Sequence, residues 1–78
     1  MAGGIVITGA GSGVGRATAR RFLAAGWRVA LAGRRREALE ETAGGAAGAL
    51  VVPTDVGDAA AVAALVDAAE GAWGRIDA

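Results

Sequence analysis

The chain has no cysteine and no histidine among its 78 residues, which removes disulfide frameworks, thiolate metal sites and imidazole chemistry together. Only carboxylates remain as metal ligands, and no metal site is expected. Lysine, tyrosine and asparagine are missing too, the one serine is Ser12, and the aromatic residues are one Phe and two Trp. No general acid or base of useful pKa offers itself, because each carboxylate has a local explanation along the chain. No catalytic residue is therefore assigned. The formal charge of zero gives no basis for electrostatic capture of nucleic acid. No segment approaches the roughly 18 apolar residues of a membrane span, and no basic-then-apolar leader opens the chain. The expectation is a soluble, cytoplasmic domain with neither nucleic acid nor membrane as partner.

What is abundant is small and apolar. Fourteen residues are Gly and 54% are hydrophobic, so the chain is one small domain at most, with a core that is thin for its length. The residues alternate between two patterns. Short β-branched or apolar runs occur at Gly4–Ile7, Arg28–Ala32 and Ala49–Pro53 and read as strands. Helical periodicity occupies Val14–Ala25, Glu37–Ala43 and a segment from an Asp58 cap to about Trp73. Gly26 and Gly74 are placed to end the first and third helices. Arg75–Ala78 reads as the opening of a fourth strand. Strand, helix and strand in succession specify parallel βαβ units with right-handed crossovers. The fold class is thus α/β, a Rossmann-like parallel sheet in the order 3-2-1 with the fourth strand only begun. Pro53 suits an edge strand, since it has no N–H to give to a ladder.

The stretch Thr8-Gly9-Ala10-Gly11-Ser12-Gly13-Val14-Gly15 lies where the first strand turns into the first helix. A helix start offers unpaired N–H groups and the positive end of the dipole, which suits a phosphate. Glycine lets the backbone come close to the anion. The usual G-x-G-x-x-G spacing fails in every register, and a P-loop fails for want of lysine. The spacing present is T-G-x-x-x-G-x-G, carried by Thr8, Gly9, Gly13 and Gly15. With this loop the chain resembles the short-chain dehydrogenase/reductase family. The resemblance implies that Gly9, Ser12, Gly13, Val14 and Gly15 hold the pyrophosphate side of a nicotinamide dinucleotide.

An acidic residue normally follows the second strand where NAD is selected, because it accepts from the ribose hydroxyls. Here the residues are Gly33-Arg34-Arg35-Arg36. No carboxylate repels a 2′-phosphate, and guanidinium groups are available to bind one. The resemblance agrees, with Arg34 as a mark of NADP preference, although Ser12 stands where many NADP-selective relatives carry a basic residue. NADP is the expected cofactor and NAD the alternative. Arg36 is read as a solvated residue that pairs with Glu40, and Arg16, Arg20 and Arg21 as a solvated outer face. In Thr54-Asp55-Val56 the resemblance implies that Asp55 accepts from the adenine amino group and that the Val56 N–H meets a ring nitrogen. Without it, Asp55 organises the turn.

In complete relatives an active-site Ser and a Tyr-x-x-x-Lys pair do the proton transfer, and this chain has none of them. The expectation is that residues 1–78 form the NAD(P)-binding portion, with the catalytic half absent and the 78 residues inactive alone. A small-molecule substrate then belongs only to a full-length form, and assembly into a homo-oligomer is left open. Marginal stability and an incomplete gene product are expected with it. The alternative is a stand-alone, non-catalytic nucleotide-binding or interaction module.

Overall fold

The computed structural model of the chain describes residues 3–74 and Ile76. In chain order it forms strand β1 (Gly4–Ile7), helix α1 (Gly13–Ala24), strand β2 (Arg28–Gly33), helix α2 (Arg36–Ala43), strand β3 (Ala49–Pro53) and helix α3 (Ala59–Trp73). Each element lies where the residue pattern puts it, with ends shifted by one or two positions: α1 begins at Gly13, α2 at Arg36, and β2 runs on through Gly33. The expected fourth strand falls largely outside the described residues.

The three strands are parallel and ordered β1-β2-β3. These are the neighbours that the order 3-2-1 specifies, read from the opposite edge. Ile7 stands beside Leu31, and Gly33 beside Pro53. Pro53 is exposed at the end of its edge strand, where a missing N–H costs nothing.

Strand alternation divides the core in two. Val29 and Leu31 pack with Ile7, Ala19 and Leu39 on the face covered by α1 and α2, while Ala30 and Ala32 pack with Leu65 and Ala69 under α3. All four β2 residues are fully buried, so the middle strand is enclosed on both sides, as parallel sheets require. On the larger face Phe22 and Trp27 meet edge to face with centroids 5.0 Å apart, so Trp27 packs at the rim of this layer.

The helices stop and start where local chemistry directs. Gly26 has φ 90° and Gly74 φ 86°, the left-handed conformation that closes a helix. Asp58 caps α3, its Oδ1 accepting from the N–H of Ala60 at 2.9 Å and of Ala61 at 3.4 Å. Arg36 and Glu40 pair across one turn at 3.6 Å, both exposed.

One expectation needs correction, and two burial features were not anticipated. Val66 on α3 is apolar yet 37% exposed. Thr42, unremarked in the sequence, is buried beside Leu39. Arg16 and Arg20 do not stand free in solvent. Arg16 has only 27% of its side chain exposed and donates to Thr42 Oγ1, Gly11 O, Ala38 O and Glu41 Oε1, and Arg20 donates to the carbonyls of Thr42 and Glu41. Helix α1 has α2 for a neighbour as well as the sheet, so its covered arc is wider than the apolar stripe reveals.

The Asp58 cap can be tested directly. Asp58→Ala is expected to lower stability by about 1 kcal/mol, and Asp58→Asn by a few tenths, because Asn keeps the accepting oxygen. Urea denaturation followed by far-UV circular dichroism measures both.

Candidate functional site

Three loops converge at the carboxyl ends of the parallel strands: residues 8–12 after β1, Arg34–Arg35 after β2 and residues 54–58 after β3. This is the end of an open α/β sheet at which ligands bind. Two hydrogen bonds carry the ladder past the strands into the loops, Ala10 N–H to Ala32 O at 3.0 Å and Thr54 N–H to Gly33 O at 2.6 Å. The loop positions are therefore set by the sheet.

The bend from β1 into α1 is made by turn residues, not by continuous helix. Gly9 has φ 64° and Gly13 φ 56°, a region costly for a residue with a Cβ. Gly15 meets a different demand. A Cβ there would overlap the Gly9 carbonyl oxygen and lie 2.6 Å from the Gly9 carbonyl carbon. The first turn of α1 therefore rests against the bend at a separation only glycine permits.

Ser12 is the N-cap residue in extended conformation (φ −161°), and its side chain makes no capping bond. The first helical bond is Arg16 N–H to Ser12 O at 3.2 Å. The N–H groups of Gly13, Val14 and Gly15 thus precede the helical ladder, and no acidic side chain stands in that first turn. Val14 is 84% exposed at the mouth. Such a helix end, held open by glycine and lacking negative charge, is chemically suited to a phosphate.

Beside the bend lies a groove of about 330 Å³. Its walls are Gly9, Gly11 and Ser12 from the loop, Gly33, Arg34 and Arg35 from the end of β2, and Ala38 and Leu39 from α2. Arg34 also borders a second hollow with Pro53, Thr54 and Asp55. It stands between the loop after β1 and the loop after β3, and brings Asp55 into relation with Ser12 and Gly9. The guanidinium of Arg34 lies 3.6 Å from Asp55 Oδ1, with the two side chains 81% and 57% exposed. An ion pair so open to water contributes little and yields readily to a stronger anion. Asp55 Oδ1 also accepts from the Gly57 N–H at 2.9 Å, which gives it the turn-organising role. Val56 is 57% exposed on the same turn.

Sequence reading singled out eight positions, and the structure gathers them at one end of the sheet. Gly9, Ser12 and Arg34 share the groove, Asp55 joins them through Arg34, and Gly13, Val14 and Gly15 form the helix mouth beside it. It passed over Arg35, Gly11 and Ala38, which also line the groove. Arg35 was legible only as one of three arginines in a row. Among the described residues there is no cluster of three or more potential metal ligands, and no helix is long and apolar enough to cross a membrane.

The two kinds of glycine should respond differently to a methyl group. Gly15→Ala is expected to lose about 3 kcal/mol of stability, the upper end of overpacking costs, since rigid backbone must move. At Gly9 a Cβ meets nothing within 4 Å, so Gly9→Ala should lose only about 1 kcal/mol of left-handed strain. Equal losses in urea denaturation would mean that the Gly9–Gly15 approach does not hold the bend.

Comparison with known proteins accords with this geometry. Residues 4–78 match the family model for short chain dehydrogenase. Sulfoacetaldehyde reductase 2 of Chromohalobacter salexigens is 45% identical over 75 residues, which is 92% of this chain and 30% of that protein. A short chain dehydrogenase/reductase of Burkholderia phymatum, solved in complex with NAD, superposes with a TM-score of 0.88 at 42% identity over 96% of this chain and 28% of its own. An actinorhodin polyketide ketoreductase solved with NADPH superposes with a TM-score of 0.88 at 31% identity, over 97% of this chain and 31% of its own. The chain thus spans about a third or less of the length of these relatives. From its glycine bend, its parallel sheet and the match along nearly its whole length, the chain belongs to the short-chain dehydrogenase/reductase family.

Proposed function

We propose that residues 1–78 are the NADP(H)-binding, amino-terminal portion of an oxidoreductase that moves hydride between a nicotinamide and a carbonyl or alcohol. The observation that carries this reading is the groove itself, a glycine-rich bend on one wall and two arginines on the other, with no carboxylate at the end of β2. In this reading the bend and helix mouth, from Gly9 through Ser12, Gly13, Val14 and Gly15, take the pyrophosphate. Arg34 takes the 2′-phosphate, Asp55 and Val56 the adenine. When bound, the cofactor supplies or accepts the hydride at its nicotinamide ring. The residues described here bind and orient it, and the Ser, Tyr and Lys of the family's proton transfer have no counterpart in the chain.

The preference for NADP over NAD rests on electrostatics. A 2′-phosphate carries close to two negative charges near neutral pH and offers three acceptor oxygens. It therefore competes well for Arg34 against the single, solvated carboxylate of Asp55. Arg35 on the same rim adds a second positive charge. Solved relatives carry NAD as well as NADPH, so family membership alone leaves NAD as the alternative, and the arginines at the end of β2 favour NADP.

Arg34→Asp in a full-length form is expected to reverse the order of NADPH and NADH binding. The carboxylate would accept from the ribose hydroxyls and repel a phosphate. Fluorescence titration with both cofactors measures this, and an unchanged preference would remove Arg34 from the role.

A further inference from the structure

The phosphate loop has a support that the glycine pattern does not encode. Thr42 on α2 is 2% exposed, and its hydroxyl lies 2.8 Å from Ala10 O and 3.0 Å from Ala38 O. The one hydroxyl proton serves the first of these acceptors or the second. The same oxygen accepts from Arg16 Nε at 3.0 Å. Arg16 Nη2 reaches over to the next loop carbonyl, Gly11 O, at 2.7 Å, and Nη1 is anchored by Glu41 at 3.2 Å. Ala10 O thus lies within reach of the Thr42 hydroxyl, and Gly11 O is held by a short charge-assisted bond from the Arg16 guanidinium, which is itself lodged against Thr42, Ala38 and Glu41 of α2.

This has a geometric consequence at the other side of each peptide. In a trans peptide the C=O of one residue and the N–H of the next point in opposite directions, and no cis peptide occurs among the described residues. Holding Ala10 O and Gly11 O on the α2 side therefore turns the N–H groups of Gly11 and Ser12 the opposite way. Gly11 and Ser12 both line the groove. The loop is rich in glycine, and without such a hold its peptide planes would rotate at little cost.

We propose that Arg16 and Thr42 are positioning residues that preset the amides of Gly11 and Ser12 for the pyrophosphate, acting from behind the loop and not as ligands. The proposal rests on the cofactor reading above and deepens it. It makes α2 a shared support: Arg35 is its N-cap residue and its last turn carries Thr42, so the two phosphate-binding regions adjoin the two ends of one helix. Preorganised donors bind an anion more tightly because no ordering cost falls at the moment of binding.

The test uses Arg16→Met, Arg16→Lys, Thr42→Val and Thr42→Ser with three probes: NADPH, ADP and 2′-AMP. ADP has the diphosphate without the 2′-phosphate, and 2′-AMP the reverse. Arg16→Met and Thr42→Val are each expected to weaken NADPH and ADP about tenfold, a loss of the size of one charge-assisted or buried hydrogen bond. Binding of 2′-AMP should stay unchanged, and Thr42→Ser should restore wild-type affinity. In the free chain, ¹⁵N relaxation should show the Gly11 and Ser12 amides losing order in the weakened variants. Unaltered ADP affinity and amide order in Arg16→Met would overturn the proposal. So would equal losses for ADP and 2′-AMP, the mark of general destabilisation. If Arg16→Met does not fold, Arg16→Lys reads the same quantities, because lysine keeps the charge without the fork. If the wild-type chain binds none of the probes, the cofactor reading fails, while the amide order still decides the positioning role.

Discussion

The contact between the first turn of α1 and the Gly9 carbonyl is the constraint from which the rest follows. Where Gly15 passes Gly9 there is no room for a Cβ, so helix and strand meet backbone to backbone. That approach places the open helix end at the carboxyl edge of the sheet, beside the groove and level with the turns after β2 and β3. A larger residue would push α1 outward and carry its open end away from the bend. The local cost of so tight a bend is met by the enclosed middle strand, whose Val29, Ala30, Leu31 and Ala32 are completely covered.

Much of this was readable before any coordinates. Three strands, three helices, the parallel order and the cap at Asp58 followed from periodicity and from the residues that start and stop elements. The glycine spacing located the bend because few other arrangements need glycine at those positions. The end of β2 was informative for what it lacked, an acidic residue, as much as for its arginines.

What escaped was the wiring between elements. Arg16 looked like an outward residue because it falls off the apolar stripe of α1, and periodicity cannot say whether a second helix lies along that flank. Thr42 carried no signal, since a threonine in a helix is unremarkable until its hydroxyl is found between Ala10 O and Arg16. Val66 is apolar yet 37% exposed, which its residue type does not reveal. Hydrophobic pattern reports which face of an element is covered and is silent on how far the cover extends.

The unequal filling of the two sides of the sheet has a dynamic consequence. One layer is centred on buried Ile7, Val29, Leu31 and Leu39, whereas the buried centre under α3 is Leu65 with Ala30, Ala32 and Ala69, ringed by the partly buried Val6, Leu50, Val52 and Trp73. Less apolar area is withdrawn from water on that side, so opening should begin there. The chain is built as a rigid laminate of β1, α1, β2 and α2, with the final helix as a lightly attached veneer. Its slowest-exchanging amides should lie in β2, and those of α3 should exchange soonest among the helices.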